Sequence, residues 1–571
     1  MKHPPARRSR GARRGVAAAS AAVLLASGTV ALAQAQASAA AGCKVDYTTN
    51  DWGTGFTATV KVTNLGDAIG NGWTLEWDFA GNQQVTSGWN GTFTQSGKHV
   101  TLKNPSWATT LGTNASVSPG FQGTYSGTNQ APAQFKLNGT VCDGSTGPTD
   151  PTDPPPSGDR ADNPYAGAKV YVNPEWSAKA AAEADGGAIA NQPTGVWLDR
   201  IAAIQGANGG MSLRDHLDEA LDQGAGLIQL VVYDLPGRDC AALASNGELG
   251  ATELDKYKTQ FIDPIAQILG DAKYADLRIV TVVEIDSLPN LITNTGSRPT
   301  ATPNCDTMKA NGNYEKGIAY ALQKLGALSN VYNYLDIGHH GWLGWDDNFA
   351  PSAQLLADVA QASGSKGNVA GFITNTANYG ATQEPYFTIN DSVNGTSVRQ
   401  SKWVDWNRYV DELSYAQAYR QQLISDGFDP GIGMLVDTSR NGWGGANRPT
   451  GPGPKTSVDA YVDGSRTDRR IHLGNWCNQS GAGLGERPKA APASGVDAYV
   501  WMKPPGESDG ASKEIPNDEG KGFDRMCDPT YGGNPRNNNN MSGALPDAPL
   551  SGHWFSAQFQ ELLKNANPPV R

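Results

Sequence analysis

Two acidic side chains sit where one proton could be held and handed over. Leu277-Arg-Ile-Val-Thr-Val-Val-Glu-Ile-Asp286 opens as a run of β-branched residues without helical period, the mark of a buried strand. It ends in Glu284 and Asp286 before Ser-Leu-Pro-Asn begins a loop. Leu227-Ile-Gln-Leu-Val-Val-Tyr233 is a second such run and empties into Asp-Leu-Pro-Gly-Arg-Asp239-Cys240. The C-terminal ends of buried parallel strands are where an α/β barrel keeps its chemistry. A carboxyl group held protonated by an apolar setting or a nearby negative charge can protonate a departing oxygen. Asp286 is the candidate acid and Asp239 the neighbour that tunes it. Either Asp alone would read as a helix cap or a loop ion pair.

The elements that must position this pair begin at Asn163. Short apolar strands alternate with loops and helical stretches such as Leu213-Arg-Asp-His-Leu-Asp-Glu-Ala-Leu221. Strands are expected at 195–199, 227–233, 277–284, 331–337, 369–374, 432–437 and 497–502. Alternation of strand and helix implies a parallel sheet, and seven units imply an α/β fold with a closed or nearly closed seven-stranded β/α barrel. Trp197, Asp239, Asp286, His339, Asn375, Arg440 and Lys503 all fall at or just past strand ends. Wet loops explain any one of them, but poorly the gathering of Trp, Asp, His, Arg and Lys at one rim.

Residues 43–142 read differently. Thr57-Ala-Thr-Val-Lys-Val-Thr63 and Trp73-Thr-Leu-Glu-Trp-Asp-Phe79 alternate apolar and polar between Gly/Asn turns, the pattern of a small antiparallel β-sandwich. Trp73 and Trp77 fit its core. Trp52, Trp89 and Trp107 lie among polar residues and glycines near turns and are expected to be exposed. Residues 143–162 are rich in Pro, Thr and Asp and read as an extended linker.

The first 42 residues read as an export signal: Arg7, Arg8, Arg10, Arg13 and Arg14, an apolar Val16–Ala33, and Ala37-Ser-Ala39 as a cleavage site. Arg13-Arg14 is a weak twin-arginine cue. A lipoprotein reading of Ala41-Gly42-Cys43 is disfavoured because Cys43 lies well beyond the apolar run. No later stretch is long and apolar enough to span a membrane. The formal net charge is -11, and six Lys/Arg lie in those first 42 residues, so the remainder is more acidic still. That argues against nucleic-acid and anionic-membrane partners. Fifteen Trp suit a neutral polymer gripped by flat aromatic faces. The expectation is a secreted, extracellular, monomeric protein.

Six cysteines in an exported chain suggest three disulfides. Sequence alone leaves their connectivity open, and the domain boundaries favour Cys43–Cys142, Cys240–Cys305 and Cys477–Cys527. No pair has zinc-knuckle spacing, His339-His340 is no metal motif, and no cofactor is expected.

Residues 43–142 resemble a family 2 carbohydrate-binding module, through the terminal cysteines, Asp51-Trp-Gly-Thr-Gly-Phe56, Gly72-Trp73-Thr74-Leu75 and Leu137-Asn138-Gly139-Thr140. The resemblance implies that Trp52, Trp89 and Trp107 form a strip lying on cellulose, ring faces against the CH faces of glucose. Val231–Cys240, Ile279–Leu288, Asp336–Trp345, Asp437–Gly442, Gly474–Cys477 and Lys503–Asp509, in that order, resemble the motifs of the family 6 glycoside hydrolases, cellulases of a distorted barrel fold. One departure is Ile285, where that family more often has proline.

The resemblance implies an inverting hydrolysis of β-1,4-glucosidic bonds. Asp286 would donate the proton, and Asp239 would raise its pKa and stabilise positive charge on the sugar. Asp509 resembles the residue often proposed as base; direct action by Asp509 and relay through water to Asp239 both stay open. Acid and base would stand roughly 6.5–9.5 Å apart to admit a water. Ser245 would orient water, and Tyr233 would press on the sugar at the cleavage point. Trp197 and Trp476 would stack sugars on the non-reducing side, Trp342 and Trp345 those beyond the cut. Lys503, Glu507, His339, Arg238 and Asn375 would contact glucose.

Long segments follow Asp286, Asn375 and Arg440. Loops beyond ~12–15 residues are usually functional or disordered. Two of the favoured disulfides would order segments next to the rim, and ordered loops would roof a tunnel. By resemblance this is the cellobiohydrolase branch, releasing cellobiose, with attack from non-reducing ends. An endo-β-1,4-glucanase and a cellulose-binding protein without catalysis are the alternatives.

Overall fold

The computed structural model describes residues 43–142, apart from positions 66, 67, 71, 106, 114, 128, 130 and 133, and residues 162–570. The expected signal and nearly all of the expected linker lie outside them. The chain divides near residue 155 into two compact units.

In the first unit the alternating stretches fold as two antiparallel sheets. Cys43–Asp51, Gly55–Asn64, Gly120–Thr124 and Gln84–Trp89 build one, and Phe135–Leu137, Thr74–Asp78, His99–Lys103 and Thr92–Ser96 lead the other. Phe56, Val60, Trp73, Leu75, Trp77, Val100 and Phe121 fill the space between. Cys43–Cys142 ties its ends together. Trp52, Trp89 and Trp107 are 52%, 44% and 76% exposed. Gly55 and Gly120 explain how two of these rings lie flat: a Cβ on either would meet the Trp52 ring at 2.8 Å or the Trp89 ring at 2.4 Å.

The second unit is built on seven parallel strands: β1 (Val196–Leu198), β2 (Leu227–Val232), β3 (Arg278–Val283), β4 (Val331–Asp336), β5 (Gly371–Thr374), β6 (Gly433–Asp437) and β8 (Val496–Val500). An antiparallel strand, β7 (Lys489–Ala493), pairs with β8 and was not expected. Its Lys-Ala-Ala-Pro-Ala sequence carries no apolar run to betray it.

Alternation along the strands sorts side chains into two layers. On β2, Leu227 and Val231 point inside the sheet's curl with Val280, Val282, Tyr334 and Val500. Ile228, Leu230 and Val232 point outward into the helical layer. Between the outer strands no ladder forms; the first and last parallel strands meet where Gly195 N–H donates to Trp501 O at 3.0 Å. A Cβ on Gly195 would meet Met502 O at 2.4 Å, which explains the glycine at this approach. The sheet is therefore a barrel fastened by a stitch rather than a seam.

Candidate active site

The rim is shaped by backbone that only local restraint can hold. Asp239, Glu284, Asp286, Asn375 and Ala377 all have positive φ, between 52° and 64°. Such conformations cost of order 1–3 kcal/mol each and persist only where surroundings fix them. Glu284 does part of the fixing. Its carboxylate accepts from Asp234 N at 3.1 Å, Leu235 N at 3.0 Å and Tyr257 OH at 2.8 Å, so the end of β3 holds the loop after β2. The Cys240–Cys305 disulfide ties that loop to the segment after Asp286.

A cavity of about 400 Å³ lies over the strand ends. Asp239, Asp286, Asp509, Ser245, Tyr233, Trp197, Trp342, Trp345, Trp476, Lys503 and His339 all line it. Strand order sets their sequence across the groove: Trp197 is carried by β1, Asp239 comes after β2, Asp286 after β3 and Trp342 after β4. The carboxyl pair thus comes from the two strands between those that lead to Trp197 and Trp342.

The Asp286 carboxyl accepts no hydrogen bond from the described residues. Burial, then the charges of Asp239, Asp336 and Asp509, push its pKa well above the carboxylate range. Asp239 is also raised, to about 6, by burial, while the Ser245 and Tyr233 hydroxyls and Arg238 favour its charged form. Tyr233 OH donates to Asp239 Oδ2. The pair therefore divides the work: Asp286 keeps the proton and Asp239 carries the charge.

Asp509 has a different setting. Arg440 Nη1 donates to it at 2.7 Å, Tyr379 OH at 2.7 Å and Asn478 N at 2.8 Å. The carboxylate is a member of a buried ion pair that also faces the cavity.

Aromatic rings are fixed by their N–H groups. Trp197 Nε1 donates to Met502 O at 2.9 Å, Trp342 Nε1 to Thr293 Oγ1 at 2.9 Å and Trp345 Nε1 to Asp405 O at 2.7 Å. Trp197 meets Tyr233 edge to face, ring centres 5.5 Å apart. Lys503 Nζ lies 5.1 Å from the Trp197 ring centre, and burial lowers its pKa.

Three expected sugar contacts stand away from the cavity wall. Arg238 is buried and spends its donors on backbone carbonyls: Asp199 O at 2.8 Å, Ser245 O at 2.9 Å, Asn246 O at 3.0 Å and Tyr233 O. It shapes the loop that carries Asp239. Asn375 is fully buried, donating to Asp437 O at 2.8 Å and accepting from Gly380 N at 2.9 Å. Glu507, half-buried, is absent from the lining and sits within the field of Lys503.

Sequence reasoning gave no role to Asp336, whose Oδ2 accepts from Asp286 N at 3.0 Å and whose pKa burial raises to about 7. It ends β4 as Asp286 follows β3, so its place at a strand end was the available signal. Arg298, Thr300, Pro535 and Arg536 also line the cavity. Arg536 Nη2 reaches Thr300 O at 3.4 Å, and Asn475 Nδ2 bonds Met541 O at 2.9 Å. Segments from three parts of the chain thus meet beside the cavity, anchored by Cys477–Cys527. The Asn-rich sequence around 534–541 has no periodicity that would announce this. The other long segments share a core of their own, with Phe387, Val398, Trp403 and Val404 packed on Tyr461, Val462 and Leu473.

His339, His340 and Glu412 are the one group among the described residues with metal-ligand atoms all within 4.8 Å. The pair within it is self-sufficient. His340 Nδ1 lies 2.6 Å from Glu412 Oε1, and Glu412 also accepts from Thr374 Oγ1 at 2.7 Å. Burial opposes charging His340, but Glu412 outweighs it and raises the pKa.

Behind the rim, Asp234 is fully buried with both carboxyl oxygens unpartnered, and burial pushes its pKa up to about 9. The folded form binds this proton more tightly than the unfolded form. Its stabilising contribution is therefore present at low pH and is lost as pH climbs from about 4 towards about 9. Asp234→Asn should flatten that loss, with a stability advantage over the parent that grows with pH. Urea unfolding midpoints at pH 5, 7 and 9 check it; a constant difference across the three contradicts it.

A proton-holding carboxyl beside a second carboxylate in a cavity walled by tryptophans suits glycoside hydrolysis, and both fold and site put this molecule among the glycoside hydrolases. Residues 161–566 match the model for glycosyl hydrolases family 6, and the chain belongs to that family. Residues 43–142 match the cellulose binding domain. Exoglucanase A of Cellulomonas fimi is 51% identical over 72% of this chain and 49% of its own length, so the chain spans about half of that relative. Exoglucanase 3 of Agaricus bisporus is 34% identical over 72% of this chain and 80% of its own. Among solved structures, the catalytic domain of Cellulomonas fimi Cel6B is 50% identical, covers 72% of this chain and 96% of its own, and superposes with a TM-score of 0.69. Cellobiohydrolase II of Humicola insolens, in complex with glucose and cellotetraose, is 32% identical over 71% and 99%, with a TM-score of 0.54.

Proposed function

We propose that this protein is a secreted exo-acting cellulase that releases cellobiose from β-1,4-glucan with inversion, starting from non-reducing ends. The observation that carries the reading is the buried carboxyl pair Asp239 and Asp286 in one cavity with Trp197, Trp342, Trp345 and Trp476. Asp286 protonates the glycosidic oxygen as the bond breaks. Asp239 stays ionised and stabilises the positive charge growing on the sugar below. Tyr233, bonded to Asp239, and the nearby Ser245 hydroxyl favour the charged form of that carboxyl group. A water on the opposite face of the sugar attacks, and its proton passes to Asp509 or, through water, to Asp239. The free neighbourhood of the Asp286 carboxyl, against the three donors fixed on Asp509, supports the assignment of acid to the former.

Exo action is supported by names and by geometry. Relatives are called exoglucanase and cellobiohydrolase, and Arg536 joins Thr300 beside the cavity. The first module brings the enzyme to cellulose through Trp52, Trp89 and Trp107. Secretion is supported by the basic and apolar N-terminus and by three disulfides, which persist in oxidising compartments. We read the protein as a monomer without nucleic-acid or membrane partners; no described helix is long and apolar enough to cross a membrane.

The test is early product analysis on amorphous cellulose with proton NMR of fresh product. Cellobiose in its α-anomer is expected to dominate, with slow viscosity loss on carboxymethylcellulose. Steep viscosity loss with few new ends would assign the protein to the endo-glucanases, and a β-anomer would remove inversion.

A further inference from the structure

We propose that Trp406 is an outer sugar platform beyond Trp345, engaging the glucan strand outside the cavity. The proposal rests on the glucanase reading above. A single exposed tryptophan needs no explanation by itself. This one has three features that do. It is 57% exposed, the one exposed tryptophan among the described residues of the barrel unit. It follows Asp405, and both have left-handed backbone, φ 45° and 67°. Left-handed conformation is costly in a bulky residue and marks positions held for a purpose.

The restraint is visible on every side. Arg399 Nη2 donates to Trp406 O at 2.6 Å and Arg399 Nε to Asn407 O at 3.1 Å. Asn407 Nδ2 donates to His340 O at 2.8 Å. Arg408 pairs with Asp346, at the start of the helix that follows Trp345. The backbone is thus fixed while the ring, with the Arg399 guanidinium 5.9 Å from its centre, stays more than half exposed.

Its location supplies the ligand. The carbonyl that fixes the Trp345 indole belongs to Asp405, one residue away. Trp345 lines the cavity and Trp406 does not, so the neighbour of Asp405 stands just outside the wall that Trp345 forms. An exposed flat ring beside the cavity mouth offers an apolar face to the CH face of a pyranose. A strand leaving the groove at this end meets it; a short oligomer confined between Trp197 and Trp345 does not.

The experiment is steady-state kinetics of the full-length protein on cellotetraose and cellohexaose, with Trp406→Ala and Trp406→Phe. Trp406→Ala should raise KM for cellohexaose about 3–10-fold, the worth of one aromatic contact, with kcat unchanged and cellotetraose unaffected. Trp406→Phe should restore most of the difference. Equal effects on both oligomers, or none on cellohexaose, overturn the platform. If the parent protein cleaves neither oligomer, it is the glucanase reading that fails.

Discussion

Asp286→Asn lowers kcat on soluble cello-oligomers by about 10²–10⁴-fold, the worth of a positioned general acid, while oligomer affinity is retained. The substitution keeps the shape and removes the proton. Asp286 faces the cavity without a hydrogen-bond partner among the described residues. The pH profile follows from the same pair. Asp286 is active protonated, so rate falls as pH rises through its elevated pKa. Asp239 is active ionised, so rate falls as pH drops below about 6. The profile is a bell whose limbs belong to the pair together. Isothermal titration with cellotetraose and stopped assays across pH check both parts. Near-normal turnover in Asp286→Asn would end the assignment of the acid.

Arg440→Met is expected to cost about 3–5 kcal/mol of stability, because it strands a buried charge. Arg440 is fully buried, 2.7 Å from Asp509, with its guanidinium 4.2 Å from the Tyr379 ring centre. The variant takes from Asp509 the guanidinium that faces it and leaves Tyr379 OH and Asn478 N as its donors. Arg440→Met with Asp509→Asn should regain much of the loss while activity stays low. Denaturant midpoints of parent, single and double variants measure this. A single variant as stable as the parent would show that the ion pair contributes little.

Much of this arrangement was legible beforehand because buried parallel strands are continuous apolar runs. Leu227–Val232 and Arg278–Val283 declare themselves, and residues just past a strand's C-terminal end must lie at the rim. That logic located Asp239, Asp286, His339 and Lys503. It does not report which way a polar side chain turns, and Arg238 and Asn375 turn away from the cavity. Arg238 bonds backbone carbonyls and Asn375 one carbonyl and one N–H, groups that a tight loop leaves unpaired. The β7 strand and the Arg536–Thr300 contact were invisible for another reason: neither rests on an apolar pattern, only on backbone reach across distant segments.

Two hydrogen bonds cross between the outermost parallel strands, Gly195 N to Trp501 O and Trp197 Nε1 to Met502 O. The second belongs to a side chain that also faces the groove. On the proposed function, a glucose ring resting on Trp197 would load a side chain that also fastens the fold. Product left in place would act as a clasp, guarding the enzyme against heat while it blocks the next turnover.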